Sequence, residues 1–269
     1  MANRDNEKKS IFVTGAGSGI GRATALLFAE RGWFVGAFDV DEKGLAETTA
    51  ALPEGQRLSH VFDVRDRDGW KRAARYFGEA TGGTMHVLFN NAGVARGGWF
   101  EDVSEDDADL IVDVNLKGVI NGCYASLPLL REATGGRIVN VASVAGVYGT
   151  PRMAIYSATK CAVRGLTEAL DLEFARHGVR VTSLMPWFVD TAILDGITAG
   201  SNESFRQGLK TGKVDIYPVR MAAERAWDAA HGGELHYMVG KQAERARFAA
   251  RFMPGALREQ FRKMVGAVI

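Results

Sequence analysis

The sequence predicts an α/β fold: a single-domain, Rossmann-type doubly wound parallel sheet of about seven strands, flanked by helices. Three observations predict it. Short β-branched and aromatic runs alternate with longer helical stretches, the rhythm of right-handed βαβ units. The strand runs are continuously apolar, as strands covered on both faces must be. The chain has 269 residues and 46% apolar composition, enough for one large core and too little for two comfortable domains.

In chain order, strands are expected at "SIFVTG" (10–15), "WFVGAFDV" (33–40), "RLSHVFDV" (57–64), "MHVLFNNAG" (85–93), "RIVNVAS" (137–143), "RVTSLMP" (180–186) and "LHYMVG" (235–240). Helices are expected near 20–31, 42–51, 66–81, 105–133, 152–177 and 219–231. Residues 1–9 read as a polar arm and 10–240 as the body, with a glycine-containing, mobile substrate lid at about 190–218. Residues 241–269 read as a helical extension of the same domain, with seven basic and two acidic side chains around Phe248, Phe252, Leu257, Phe261 and Val265. Pro254–Gly255 splits that extension, which favours packing on the body or on a neighbouring subunit over lying on a membrane.

Charge excludes some partners. With 33 basic and 32 acidic side chains, the chain makes no electrostatic case for nucleic acid. No apolar run approaches the ~18 residues of a membrane span. The polar start "MANRDNEKKS" has the pattern of neither a secretory nor a transit leader, so a cytoplasmic protein is expected. Cys123 and Cys161 fall in helical stretches and are expected to be reduced packing residues. The five histidines show no metal-ligand spacing, and no metal is expected.

In "VTGAGSGIGRA", Gly15, Gly19 and Gly21 fall between the first strand and the first helix. Glycines there permit a tight turn and let backbone and helix N-terminus approach a pyrophosphate. The spacing is G-x-x-x-G-x-G, not the usual G-x-G-x-x-G. Asp39 ends the second strand 18 residues past Gly21, near the ~20 expected of the acid that binds the adenosine ribose. A carboxylate there accepts from ribose hydroxyls and repels a 2′-phosphate. No basic residue stands at 18 or 40, so the expected cofactor is NAD rather than NADP.

These motifs, with those that follow them, resemble the short-chain dehydrogenase/reductase family of the classical type, over about residues 10–240. "TGAGSGIG" (14–21) is similar to the family's cofactor turn, which implies contacts from Gly15, Ser18, Gly19, Ile20 and Gly21. "DV" (Asp63, Val64) is similar to its adenine-contacting pair, and "NNAG" (90–93) to the segment that supports the sheet beside the cofactor through Asn91, Ala92 and Gly93. Asn115 in "VDVNLKG", Ser143 in "VNVASVAG", and Tyr156 and Lys160 in "YSATK" match its catalytic tetrad one by one. The resemblance implies that Tyr156 exchanges the alcohol proton and that Ser143 bonds the substrate oxygen. It also implies that Lys160 binds the nicotinamide ribose and that Asn115 holds a water of a proton relay. Tyr156 and Lys160 are four positions apart, on one helical face. A cation there is expected to pull the phenol below its ordinary pKa of ~10.

After the sixth strand the family pattern P-G-x-V-x-T becomes "PWFVDT". Pro186, Val189 and Thr191 match it, while Trp187 replaces glycine and is read as a pocket wall. Val94, Val144, Ala145, Tyr148 and Met153 are the other expected walls, mostly apolar, with Arg96 and Arg152 the only charges nearby. That lining favours a hydrophobic small-molecule alcohol or ketone (cyclic, aromatic or sterol-like) over a sugar or a carboxylic acid. The resemblance further implies a homodimer or homotetramer, packed through the helices at 105–133 and 152–177 by faces holding Leu127, Leu130, Leu166 and Leu170. Two other functions are weighed. A nucleotide-sugar epimerase or dehydratase shares the Tyr–Lys pair, but is usually longer and has a differently spaced turn. A catalytically inactive NAD-binding sensor or structural subunit is opposed by the intact tetrad.

Overall fold

Seven short apolar segments pair in parallel because each has helices on both sides to cover it. In the computed structural model, which describes residues 9–196, 198–200 and 204–266, they are Ser10–Thr14 (β1), Phe34–Asp39 (β2), Arg57–Val61 (β3), Val87–Asn90 (β4), Arg137–Val141 (β5), Arg180–Pro186 (β6) and His236–Val239 (β7). Their order in the sheet is β3-β2-β1-β4-β5-β6-β7. β1 and β4 are neighbours, so the order reverses between them and opens a crevice at their carboxyl ends. Residues 1–8 of the expected arm at 1–9 lie outside the described residues.

Two apolar layers fill the space between sheet and helices. Gly19–Glu30 (α1), Glu42–Ala51 (α2) and Val219–His231 (α8) cover one face, bringing Phe28, Leu45, Ala222 and Ala226 against β1, β2 and β6. Arg67–Ala80 (α3), Gly118–Leu130 (α5) and Ala154–Phe174 (α6) cover the other, with Trp70, Phe77, Leu130 and Val163 buried among them. Local chemistry sets several starts. Asp66 caps α3 by accepting from the Asp68 amide, and Ser104 caps Glu105–Val112 (α4) by accepting from the Asp107 amide.

The structure amends the expected elements. Only Val87–Asn90 of the run at 85–93 is strand, and 91–93 leaves the sheet as a loop. The long helix at 105–133 is α4 and α5 joined by a π-helical turn, Asp113–Lys117. The lid region holds a 3₁₀ turn, Ala192–Asp195, and a helix, Phe205–Thr211 (α7), opened by a Ser204–Gln207 capping box. The extension forms Lys241–Phe252 (α9) and Pro254–Gly266 (α10), with Ala243 and Leu257 buried on the body.

Two packing expectations are corrected. Cys161 is exposed on α6, so of the two cysteines only Cys123 is a packing residue. Leu130 is wholly buried in the chain's own core and offers nothing to a second subunit. Leu127, Leu166 and Leu170 are partly buried, and the most exposed large apolar side chains of α5 and α6 are Tyr124, 79% exposed, and Leu172, 80% exposed.

Candidate active site

The crevice between β1 and β4 holds a cavity of ≈ 640 Å³. One end is the glycine turn. Gly15 and Gly19 have φ of 66° and 51°, a left-handed backbone that side chains disfavour. A Cβ on Gly15 would lie 2.7 Å from Asn91 Nδ2, and one on Gly21 2.0 Å from the Gly15 carbonyl oxygen. Gly15, Ser18, Gly19 and Ile20 line the cavity, while Gly21 lies behind the turn and permits its close packing. Ser18 makes no side-chain cap and the first turn of α1 has no acidic residue. The helix therefore presents its free amides and positive end to the cleft.

Asp39 stands half-buried at the rim, its carboxylate fixed by the Gly17 amide at 2.7 Å and the Asp41 amide at 2.9 Å. Asp63, Val64 and Arg65 line the same end. Arg65 grips Asp63 through both carboxylate oxygens and holds that carboxyl below its ordinary range. The "NNAG" segment ties the sheet together here. Asn91 Nδ2 donates to the Thr14 carbonyl at 2.9 Å, and the Asn91 and Ala92 amides donate to Thr14 Oγ1 at 3.0 and 3.1 Å.

The other end holds the tetrad. Ser143 caps the 3₁₀ turn Val144–Gly146 by accepting from the Ala145 amide at 3.1 Å. A Cβ on Gly146 would lie 2.6 Å from the Lys160 carbonyl. Glycine there lets α6 approach the turn and sets Ser143 beside the Tyr156 phenol. The Lys160 ammonium is buried, donates to the Val141 carbonyl at 2.8 Å and lies 5.5 Å from the centre of the Tyr156 ring. Asn115 stands inside the π-helical turn with its side chain bonded to Val94, and does not itself line the cavity.

Electrostatics correct one expectation. Burial pushes the Tyr156 phenol up, with the Ser143 hydrogen bond pulling partly back. Burial also pushes the Lys160 ammonium down to about 8. In this structure desolvation outweighs any help from the neighbouring cation.

Among the expected walls, Val94, Val144, Ala145, Met153 and Trp187 line the cavity. Tyr148 does not: its ring stacks on Phe261 of α10, centroids 5.6 Å apart, so the carboxyl-terminal extension draws it away. Arg96 is turned outward to Asp107. Pro186, Val189 and Thr191 line the cavity, and a Cβ on Gly19 would meet Thr191 Cγ2 at 3.0 Å. Thr191 thus sits across the opening of α1.

Two features carry no local sequence signal. Arg206 on α7 pairs with Asp190 and Asp195 and donates to the Thr191 carbonyl at 3.2 Å, tying the lid to the segment after β6. A buried chain runs from Asn90 Nδ2 to Asn140 Oδ1 at 2.9 Å and from Asn140 Nδ2 to Thr167 Oγ1 at 3.0 Å, linking β4, β5 and α6 below the site.

A family model described as short chain dehydrogenase matches residues 9–202. The chain belongs to the short-chain dehydrogenase family. The 3-oxoacyl-(acyl-carrier-protein) reductase FabG of Thermotoga maritima is 35% identical, over 77% of this chain and 85% of that protein. The cyclohexanol dehydrogenase of an Acinetobacter species is 34% identical, over 72% and 78%. A short-chain dehydrogenase/reductase from Burkholderia phymatum, solved in complex with NAD, superposes with TM-score 0.81 at 31% identity, covering 94% of this chain and 95% of that one. This short-chain dehydrogenase is an oxidoreductase of the same fold.

Proposed function

We propose that the chain transfers a hydride between NAD(H) and a hydrophobic secondary alcohol or ketone, with Tyr156 exchanging the proton. The observation that carries this is the meeting of Ser143, Tyr156 and Lys160 in one cleft with a side-chain-free glycine turn. The turn fits a dinucleotide. Gly15 and Gly19 leave the pyrophosphate room, α1 offers its amides, and Asp39 is oriented for a ribose diol. Asp63 and Val64 would flank the adenine, and Ala92, Gly93, Lys160, Val189 and Thr191 the nicotinamide ribose and amide. When bound, the nicotinamide supplies the hydride acceptor or donor at its ring carbon.

The chain's own residues supply the proton and the orientation. The raised Tyr156 phenol stays protonated near neutrality, the state that ketone reduction uses. Alcohol oxidation needs the phenolate. The Ser143 hydroxyl donates to the substrate oxygen and stabilises charge developing there. Lys160, once charged, favours the phenolate. The apolar walls Val94, Val144, Met153 and Trp187 exclude water around the reacting carbon. The relationship to a cyclohexanol dehydrogenase supports a cyclic alcohol. The test is NAD reduction against a panel of cyclic, aryl and aliphatic secondary alcohols, with a sugar as the polar control. Turnover of the hydrophobic alcohols is expected, and turnover of the sugar alone would refute the reading.

A further inference from the structure

Arg152 stands out among the charged side chains of the cleft. The carboxylates that line it, Asp39 and Asp63, both belong to the cofactor end. Of the cations that line it, Arg65 is neutralised by Asp63 and Lys160 is bound to the Val141 carbonyl. Arg152 lines the same cavity one turn before Tyr156, and its Nε is buried with no hydrogen-bond partner. Its guanidinium lies 5.6 Å from the centre of the Trp99 ring. Among the described residues no carboxylate pairs with it. Burying part of a guanidinium without a counter-charge is costly unless something supplies one.

The backbone strengthens the case. The Met153 amide donates to the Thr150 carbonyl at 3.1 Å, closing a turn with Pro151 second and Arg152 third. Arg152 has a φ of 62°. This is the pattern of a type II turn, whose third position favours glycine. A long cationic side chain held in that conformation is a strained choice, of the sort that gathers at ligand sites. The Arg152 carbonyl also accepts from the Gly98 amide at 2.9 Å, and Gly97 in turn accepts from the Ala199 amide. The turn is thereby fixed to the loop and lid that close the substrate end.

We infer that Arg152 recognises a carboxylate on the substrate, so that the hydrophobic alcohol or ketone of the proposed reaction carries one acidic group remote from its carbinol carbon. This rests on the reaction proposed above and amends its substrate class. A planar guanidinium fork suits a carboxylate through two parallel hydrogen bonds. A phosphate ordinarily draws several donors or a helix end, and beside the carbonyl-bound Lys160 this end of the cavity offers Arg152 alone.

The test uses one skeleton in two forms: a hydroxycyclohexane carboxylate and its methyl ester, each oxidised with NAD by the wild type, Arg152→Gln and Arg152→Lys. The wild type is expected to prefer the acid. Arg152→Gln should reduce the acid-to-ester ratio of kcat/KM about 10- to 100-fold, mainly through KM, because a charged hydrogen bond is lost. Arg152→Lys should keep part of that preference. Turnover of both forms with the same ratio in wild type and Arg152→Gln would overturn the assignment of Arg152 and leave the proposed reaction standing. A wild type that oxidises neither form nor the alcohol panel would overturn the reaction itself.

Discussion

The side-chain amide of Asn115 clasps the backbone of Val94 from both sides: Nδ2 donates to its carbonyl at 2.9 Å and Oδ1 accepts from its amide at 2.8 Å. One Nδ2 hydrogen and one Oδ1 lone pair are engaged in this way, and the side chain fixes the loop beside the tetrad. Asn115→Leu keeps the volume and orphans both backbone groups. It should cost about 1–3 kcal/mol of stability, read as a lower midpoint in denaturant, and should lower turnover by loosening the loop. An unchanged midpoint would show that the clasp contributes nothing.

Burial of Lys160 gives the fold a pH dependence of definite sign. Its ammonium is pushed down from 10.5 to about 8, so between those values the unfolded chain binds more protons than the folded one. Stability from this group therefore rises with pH across that window. Tyr156 is raised above 10.0 and acts oppositely, but only above that value. Compared with Lys160→Met, the wild type should gain stability from pH 7.5 to 9.5. Melting curves for both proteins at those pH values check it, and parallel changes would contradict the burial account.

The same phenol sets a direction in the rate. Because oxidation needs the Tyr156 phenolate and burial raises that phenol, kcat/KM for alcohol oxidation should climb as pH rises from neutrality. Ketone reduction should not climb with it. Steady-state profiles in both directions decide this.

Asp39 holds its carboxylate at the rim on two backbone amides. Asp39→Asn keeps an acceptor for one of those two amides and removes the charge that opposes a 2′-phosphate. The NAD-to-NADP ratio of kcat/KM should fall at least about tenfold, the effect of ~1.4 kcal/mol of lost discrimination. A wild type that used NADP as well as NAD would refute the cofactor assignment.

Trp187 stands where the family pattern has glycine. It lines the cavity, packs partly on the core and leaves its buried Nε1 without a partner. Trp187→Gly should raise relative activity on bulky alcohols and also lower Tm, since the ring serves both wall and core. A lower Tm with unchanged selectivity would reduce Trp187 to packing.

What the sequence made legible was local. The glycine turn, "NNAG", Ser143 and the Tyr156–Lys160 spacing sit on single turns or helices, where distance along the chain fixes distance in space. The Asn90–Asn140–Thr167 chain was not legible because it depends on β4 and β5 pairing in a register that sets Asn90 opposite Asn140. Tyr148 was misplaced for a related reason. Its partner Phe261 lies on α10, and no local pattern announces that stacking. The direction of the Tyr156 shift was missed because spacing shows a nearby cation but not how deeply both groups are buried. The Arg206 tie across the lid spans 11 and 16 residues to its two partners and has no periodic signature.

The central claim is that Tyr156 moves the proton in an NAD-linked oxidation. It is tested most directly by following reduced nicotinamide absorbance for wild type and Tyr156→Phe with the best alcohol of the panel, beside calorimetric titration of NAD into each protein. The account predicts that Tyr156→Phe loses at least about 100-fold in kcat, the low end of what a positioned acid–base group contributes, while NAD binds both proteins within a few-fold. Near wild-type turnover by Tyr156→Phe, with NAD bound equally, would contradict it.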